Sequence, residues 1–440
     1  MAESNSSVLM PSDKPPLAKW IPLSFQHVFA MFGATILVPI LTGLSTSTAL
    51  FTAGTGTLLY ILITGAKVPA FLGSSFAFIP ALIAISKEYG VPYAMGGAIF
   101  AGIFYALVAL IIRFAGKKWI DAALPPVVIG SVIVVIGMSL APTAINEAFY
   151  LNNEYSLVAL SIAAVTLAIA VFATIFLKGF FNTLSILIGL VGGYLFTLIM
   201  GCLFPAYRLI DFSSVQSAKW FALPFLQTDA AGHAFWQAPK FNLVAILTFV
   251  IVSISTICEH MGDTLTTSKV VGRDFYKEPG LHRTLLGDGV ATAWAALWGG
   301  PPNTTYGENI GVMAITKVYS VWVIGGAAVI AVLLSFCQKF GAVIQTIPTP
   351  VLGGICTLLY GLIASSGLRT LVDAGVDYQE KRNLTISSVI MVIGIGGGVL
   401  QFMIGSFKFS LGGVAFATVV GILLNLIIPK NKADEIQASA

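Results

Sequence analysis

Charge is scarce in this 440-residue chain. Lys, Arg, Asp and Glu make up 10% of it, against roughly 25% in an average soluble protein. A globule of this size could not clothe its surface with so few charges, which excludes a cytosolic enzyme and a disordered protein. The net charge is only +4, from 23 basic and 19 acidic residues. That is too little for a surface that tracks phosphates, so no nucleic acid is expected as a partner. Cysteine is as sparse: Cys202, Cys258, Cys337 and Cys356 lie in or beside apolar runs and form no CxxC. They read as small apolar packing residues, with neither a disulfide framework nor a zinc site. There is no HExxH, Walker A, GxSxG or acidic metal cluster, so no enzyme, cofactor or metal is expected. The first 20 residues lack the apolar core and cleavage site of a removable signal peptide. With 57% hydrophobic residues, a polytopic membrane protein remains.

A spanning helix needs about 20 mostly apolar residues. Such stretches lie at 22–42, 46–65, 93–114, 124–142, 156–177, 183–203, 241–265, 284–298, 319–338, 348–368, 383–403 and 410–428. Two more, 68–86 and 299–316, are apolar but broken by turn residues. Together they make fourteen spans; hydropathy alone is also compatible with twelve or thirteen, 284–298 being the weakest. With fourteen, both termini share one side. Placing them inside puts 17 of the 23 basic residues inside and leaves Lys87, Arg208, Lys219, Lys240, Lys339 and Lys408 outside, as the positive-inside rule requires. Both termini are therefore expected to be cytoplasmic.

The Pro-containing stretch 204–240 reads as an external connection between two halves of seven spans. Halves with an odd number of spans insert in opposite senses, which is the arithmetic of an inverted repeat. Gln26 precedes Ser75 by 49 residues, and Glu259 precedes Glu308 by the same 49. Both targets fall in the broken segments. Interrupted spans at corresponding places in two halves are the pattern expected around a transporter's binding site. The glycines 394, 396, 397 and 398 follow no βαβ unit and read as close helix packing.

The first broken segment reads Gly73-Ser74-Ser75-Phe76-Ala77-Phe78-Ile79-Pro80. Its small hydroxyls and alternating aromatics favour an extended stretch, with Pro80 suited to the first turn of a half-helix. The second opens with Gly299-Gly300-Pro301-Pro302, through which no helix runs comfortably. A half-helix is expected to start near Gly307 or Glu308 and run to Lys317. Non-helical backbone at membrane depth survives only where protein or a cavity satisfies it. Two short strands pairing with each other would do so, and would aim the half-helix tips at one point. The other reading of 299–307 is an external loop.

The acids within apolar segments are Glu259, Asp263 and Glu308, with Asp288 at a span entrance. An Asp at the centre of a span costs about 2.5–3.5 kcal/mol on insertion scales, so function is the default reading. Glu259 and Asp263 are four apart and share a helix face. Alternatives stay open: a helix cap for Glu308, a packing acid for Glu259, a gating role for Asp263, an interfacial cap for Asp288. His27 and His260 fit helix–helix hydrogen bonding as well as function. Carboxylates only accept hydrogen bonds and helix tips only donate them. A planar lactam or imide, a pyrimidine-dione or an oxopurine, offers both partners on adjacent edges, with Phe76, Phe78 and Tyr306 as stacking surface.

The string from Asn303 to Lys317 resembles the signature of the nucleobase–ascorbate transporter family. Gln26-His27 with the run from Ala30 to Thr35, the run from Gly73 to Phe78, and Glu259-His260-Met261-Gly262 match it too. Their order and spacing look most like the bacterial uracil permeases, over about 15–430. The resemblance implies an all-α polytopic membrane protein with fourteen segments in a 7+7 inverted repeat and short antiparallel β-strands in segments 3 and 10. It implies a core domain at 21–121 and 241–342 and a gate domain at 122–203 and 343–429. The connection 204–240 and the cytoplasmic tails 1–20 and 430–440 complete the division. It implies proton-coupled uracil uptake across the cytoplasmic membrane, with no cofactor beyond the proton, membrane lipid as surroundings, and homodimers through the gate domains. Glu259 and Glu308 would bond the base, backbone N–H groups of Phe76 and Gly307 would donate to its oxygens, and Ser75, Ala34, Tyr306 and Tyr360 would complete the site. Glu259, Asp263 and His27 would couple the proton. One departure stands out: a well-known uracil permease pattern has His where this chain has Asp263, and Asp there is usual in purine carriers. A purine or broader pyrimidine symporter is the alternative, and an anion transporter on the same architecture a more distant one.

Overall fold

The computed structural model describes residues 8–116, 118–226, 234, 236–404 and 407–429. The expected tail 430–440, the start of the tail 1–20 and part of the connection 204–240 lie outside the described residues.

Prolines and small polar residues start most of the helices. The first half holds α1 (Leu17–Thr42), α2 (Thr46–Ile63), β1 (Leu72–Ser74), α3 (Ile79–Glu88), α4 (Val91–Ala115), α5 (Lys118–Ala123), α6 (Pro126–Ser139), α7 (Ala141–Phe149), β2 (Tyr150–Leu151), β3 (Glu154–Tyr155), α8 (Leu157–Phe176), α9 (Phe180–Thr183) and α10 (Ser185–Leu203). The second holds α11 (Ser213–Ser217), α12 (Leu243–Val271), α13 (Leu281–Leu297), β4 (Asn303–Thr305), α14 (Gly307–Thr316), α15 (Val321–Ser335), α16 (Gln338–Gln345), α17 (Thr349–Asp373), α18 (Lys381–Ile395), β5 (Val399–Ile404), β6 (Phe407–Gly412) and α19 (Gly413–Ile427). The Ser45, Ser156 and Asn242 side chains accept orphan N–H groups at the starts of α2, α8 and α12, which is the usual work of an N-cap. Proline occupies the first turn of α3, α4, α6, α7 and α17, where its missing N–H costs nothing.

Eight of the described helical stretches are long and apolar enough to cross a membrane: α1, α2, α4, α6 with α7, α8, α10, α12 and α17. The bent pair α15–α16 is a ninth. The other expected segments hold the shorter helices α3, α13, α14, α18 and α19. A 15-residue helix such as α19 rises only about 22 Å, less than the roughly 30 Å of hydrocarbon.

Helices α1–α4 pack mainly on α12, α13 and α15, while α17 packs on α6, α7 and α8, and α18 on α6 and α19. α12 touches members of both groups, α4 and α14 on one side and α6 and α19 on the other.

One expectation needs correction. Besides the strands of the broken segments, β2–β3 and β5–β6 form two further antiparallel pairs. The second hairpin replaces the meeting ends of the expected spans 383–403 and 410–428. Helix α18 stops at Ile395 because the glycines behind it turn the chain, Gly397 taking φ +68°. The packing reading holds for Gly394, where an added Cβ would run into the Val135 side chain.

Candidate functional site

The two broken segments meet. β1 and β4 pair antiparallel, with Leu72 opposite Thr305, Gly73 opposite Thr304 and Ser74 opposite Asn303. The ladder runs one step further at each end: Ser75 N donates to Pro302 O at 2.9 Å and Tyr306 N to Phe71 O at 3.0 Å. Flanking helices supply partners for the outer edges. The Thr57 hydroxyl of α2 accepts from Leu72 N at 2.9 Å and donates to Leu72 O at 3.1 Å. On the other side Thr292 of α13 donates to Asn303 O at 2.8 Å. All six strand residues are buried, and an unmatched backbone group there would cost about 1–3 kcal/mol. Extended backbone is therefore tolerated in an apolar interior because α2 and α13 complete it.

From this pair the chain leaves into two short helices. A 3-10 turn at Phe76–Phe78 leads into α3, and Tyr306 is the N-cap of α14. The leading N–H groups at Phe76 and Gly307 have no intrahelical carbonyl to meet. Gly307 is exposed, and a Cβ added there or at Gly311 meets nothing within 4 Å. This face of α14 therefore borders open space. Phe76 is buried with its ring edge-on to Tyr360 of α17, at 5.8 Å and 77°.

Helix α12 passes the strand pair with Glu259 and Asp263 on one face. Asp263 Oδ2 accepts the Thr305 hydroxyl at 2.8 Å. Glu259 lies beside Thr304 and within electrostatic reach of Asp263, Asp288 and Glu308. Yet among the described residues Glu259 Oε2 and the Thr304 hydroxyl, both without solvent contact, meet no partner at hydrogen-bonding geometry. Glu308 stands in the first turn of α14, within electrostatic reach of Glu259. Positions 259 and 308 thus belong to one neighbourhood, with carboxylate acceptors beside helix-tip donors.

The remaining expected residues are distributed around it. Ser75 is buried, and among the described residues its hydroxyl has no partner. Ala34 is buried on α1, next to Thr35, whose hydroxyl donates to the Tyr306 oxygen at 3.1 Å. Tyr306 donates in turn to Ser74 O at 3.1 Å and is only 3% exposed, so it serves as a strut across the strand pair. Tyr360 is buried beside Cys356, and among the described residues its hydroxyl meets no partner at hydrogen-bonding geometry. The Asn309 amide lies 3.1 Å from His27 Nδ1 and donates to His27 O at 3.1 Å, which places His27 in a contact between α1 and α14.

Sequence reading missed one feature. Asp288 is not an interfacial cap: α13 begins at Leu281, so Asp288 falls well inside it and is fully buried. Asp288 Oδ2 lies 2.9 Å from His260 Nδ1, both side chains being wholly inaccessible. His260 Nε2 is 3.3 Å from the Thr264 hydroxyl, and Tyr60 stands edge-on to the imidazole. The available signal was an acid and a histidine, each set among apolar neighbours.

Comparison with known proteins adds three findings. The family Xan_ur_permease, described as Permease family, matches residues 18–404. A uracil permease of Bacillus subtilis (strain 168) is 49% identical over 432 residues, covering 97% of this chain and 96% of that protein. Among solved structures, the transmembrane domain of a cyanobacterium bicarbonate transporter, BicA, superposes with a TM-score of 0.62 at 14% identity, over 96% of this chain and all of that one. The overall structure of SLC26A9 gives 0.66 at 12% identity, and the chain spans 65% of that protein. At such identities these two speak for the fold alone.

Proposed function

The chain belongs to the Xan_ur_permease family of permeases, and on that premise we propose that it carries uracil into the cell together with a proton. A permease is a transporter, not an enzyme. The observation that carries the reading is the meeting of two half-helix tips at a buried strand pair, beside a carboxylate whose Oε2 has no partner among the described residues. Uracil offers N–H groups to Glu259 and Glu308 and carbonyl oxygens to the N–H groups of Phe76 and Gly307. Ser75, Ala34, Tyr306 and Tyr360 complete the surroundings.

In this reading the chain crosses the cytoplasmic membrane fourteen times in two inverted sevens, with both termini inside. The strands β1 and β4 lie in segments 3 and 10. Residues 21–121 and 241–342 form a core domain that carries the site; 122–203 and 343–429 form a gate domain through which two copies pair. Glu259 carries the proton, with Asp263 and His27 assisting. Its neutralisation lowers the cost of moving the loaded site through lipid, and the core then shifts against the gate to expose the site on either side.

Asp263 favours a second reading within the same class, a purine or broader pyrimidine symporter, since it leaves a carboxylate bonded to Thr305 beside the site. Anion transport fits poorly, because acids crowd the site. The test is uptake of radiolabelled uracil into proteoliposomes with and without an inward proton gradient, competed by thymine, xanthine and other bases. Gradient-driven uptake blocked by unlabelled uracil is expected. Uptake indifferent to both uracil and pH overturns the function and leaves the fold.

A further inference from the structure

Helix α7 carries one acid, Glu147. The backbones of α7 and α17 touch here, for a Cβ added at Gly353 would lie 2.6 Å from the Glu147 carbonyl carbon. The contact sets Glu147 against the face of α17 that bears Cys356 and, one turn on, Tyr360, both within its electrostatic reach. Among the described residues, Glu147 Oε2 and the Tyr360 hydroxyl have neither solvent contact nor a partner at hydrogen-bonding geometry, the Cys356 thiol standing beside that hydroxyl. Among the described residues, the elements packed most on α7 are α6, α8, α17 and β2. α6 and α8 contain no ionisable side chain, and β2 brings only Tyr150. On α17 the charged residues Arg369 and Asp373 lie more than three turns beyond Cys356, about 20 Å or further along the axis. Among the described residues of these elements an ionised Glu147 faces no cation, and a charge whose Oε2 is out of water and unpaired is costly. Tyr360 in turn holds the edge contact with Phe76, at the tip of the half-helix.

We propose that Glu147 is a second proton-binding carboxyl of this carrier, a positioning residue that acts on the nucleobase site through Tyr360. It rests on the transport reading above. The neutral carboxyl donates to the Tyr360 hydroxyl, supplying the bond that each atom lacks, and keeps α7 closed on α17 with Tyr360 against Phe76. Losing its proton to water entering beside the β2–β3 hairpin, the carboxylate draws solvent in. The α7–α17 contact loosens, and the wall beside Phe76 withdraws. Proton uptake by Glu147 thus favours the substrate-holding site.

The test uses the full chain in proteoliposomes with radiolabelled uracil, measuring KM between about pH 5 and about pH 9. Each proton linked to binding makes log KM rise by about one per pH unit above its titration. In E147Q that slope falls by about one, E147D keeps it, and Y360F loses the same increment with its carboxyl intact. The infrared C=O band of a protonated carboxyl gives a readout that needs no transport: it titrates in wild type and Y360F, and E147Q lacks that component. An E147Q slope equal to wild type, or an unchanged infrared titration, overturns the proposal. Absence of uracil uptake by wild type at every pH overturns the transport reading and this coupling with it, an outcome distinct from uptake with an unchanged slope.

Discussion

Replacing Gly307 by alanine separates the fold from the site. Gly307 opens α14 with an ordinary helical entry, and an added Cβ meets no atom within 4 Å. Alanine is the better helix former by up to about 1 kcal/mol, so the ligand-free G307A protein should melt at the wild-type temperature or slightly above. With uracil bound, the methyl occupies the space beside the N–H that is to meet a carbonyl oxygen. Overfilling a packed contact costs about 1–3 kcal/mol, a loss of about 5- to 160-fold in Kd. Calorimetric titration with uracil and thermal unfolding with and without it give both quantities. Gly73→Ala is the contrasting control: its Cβ would lie 2.5–2.6 Å from Tyr306 ring atoms, and that ring is tethered by Thr35 and Ser74. G73A should therefore lose stability without any ligand. Wild-type uracil affinity in G307A would refute the placement of the base against α14.

Glu259→Gln should abolish proton-driven accumulation of uracil while leaving the protein folded; full accumulation by that variant removes Glu259 from the carrier role. Thr305→Val takes the donor from Asp263 Oδ2 and should cost about 1–3 kcal/mol, read as a lower unfolding temperature; an unchanged one would mean that Asp263 has another donor. The Glu278 carboxyl is held below its usual range by the Lys67 hydrogen bond and charge. Its contribution is therefore present at neutral pH and is lost as pH falls through the carboxylate range, so wild type and E278Q should converge in acid. With the partners 46% and 75% exposed, their difference should also be small and fade in salt. Deleting residues 1–12 removes the Leu9 and Pro11 bonds to the stretch after α14, three at 2.7–3.2 Å. At about 0.5–1.5 kcal/mol each, unfolding should come earlier by about 1.5–4.5 kcal/mol, and an unchanged melt would mean that this strap carries no load.

Much of this molecule was legible locally. Few charges and many apolar residues require lipid as the solvent, whatever the tertiary arrangement. Gly299-Gly300-Pro301-Pro302 cannot continue a helix, since proline lacks the N–H and clashes with the preceding turn. The half-helix of α14 could be placed from that break to within a residue. The hairpin 399–412 was not legible, because a short apolar run looks alike as strand and as buried helix. The glycines before it show the same limit: Gly394 admits a neighbouring helix and Gly397 turns the chain, yet a missing Cβ serves both purposes.

What the amino-acid order determined by itself is thus each property that depends on a residue and its near neighbours: membrane solvent, broken spans, half-helix starts, and the acids set in apolar runs. Only the tertiary structure decided partnership. Thr305 bonds Asp263, Asp288 meets His260, and α7 touches α17 because elements separated in sequence pack together there. A carboxylate's surroundings are set by those contacts, and no spacing along the chain encodes them.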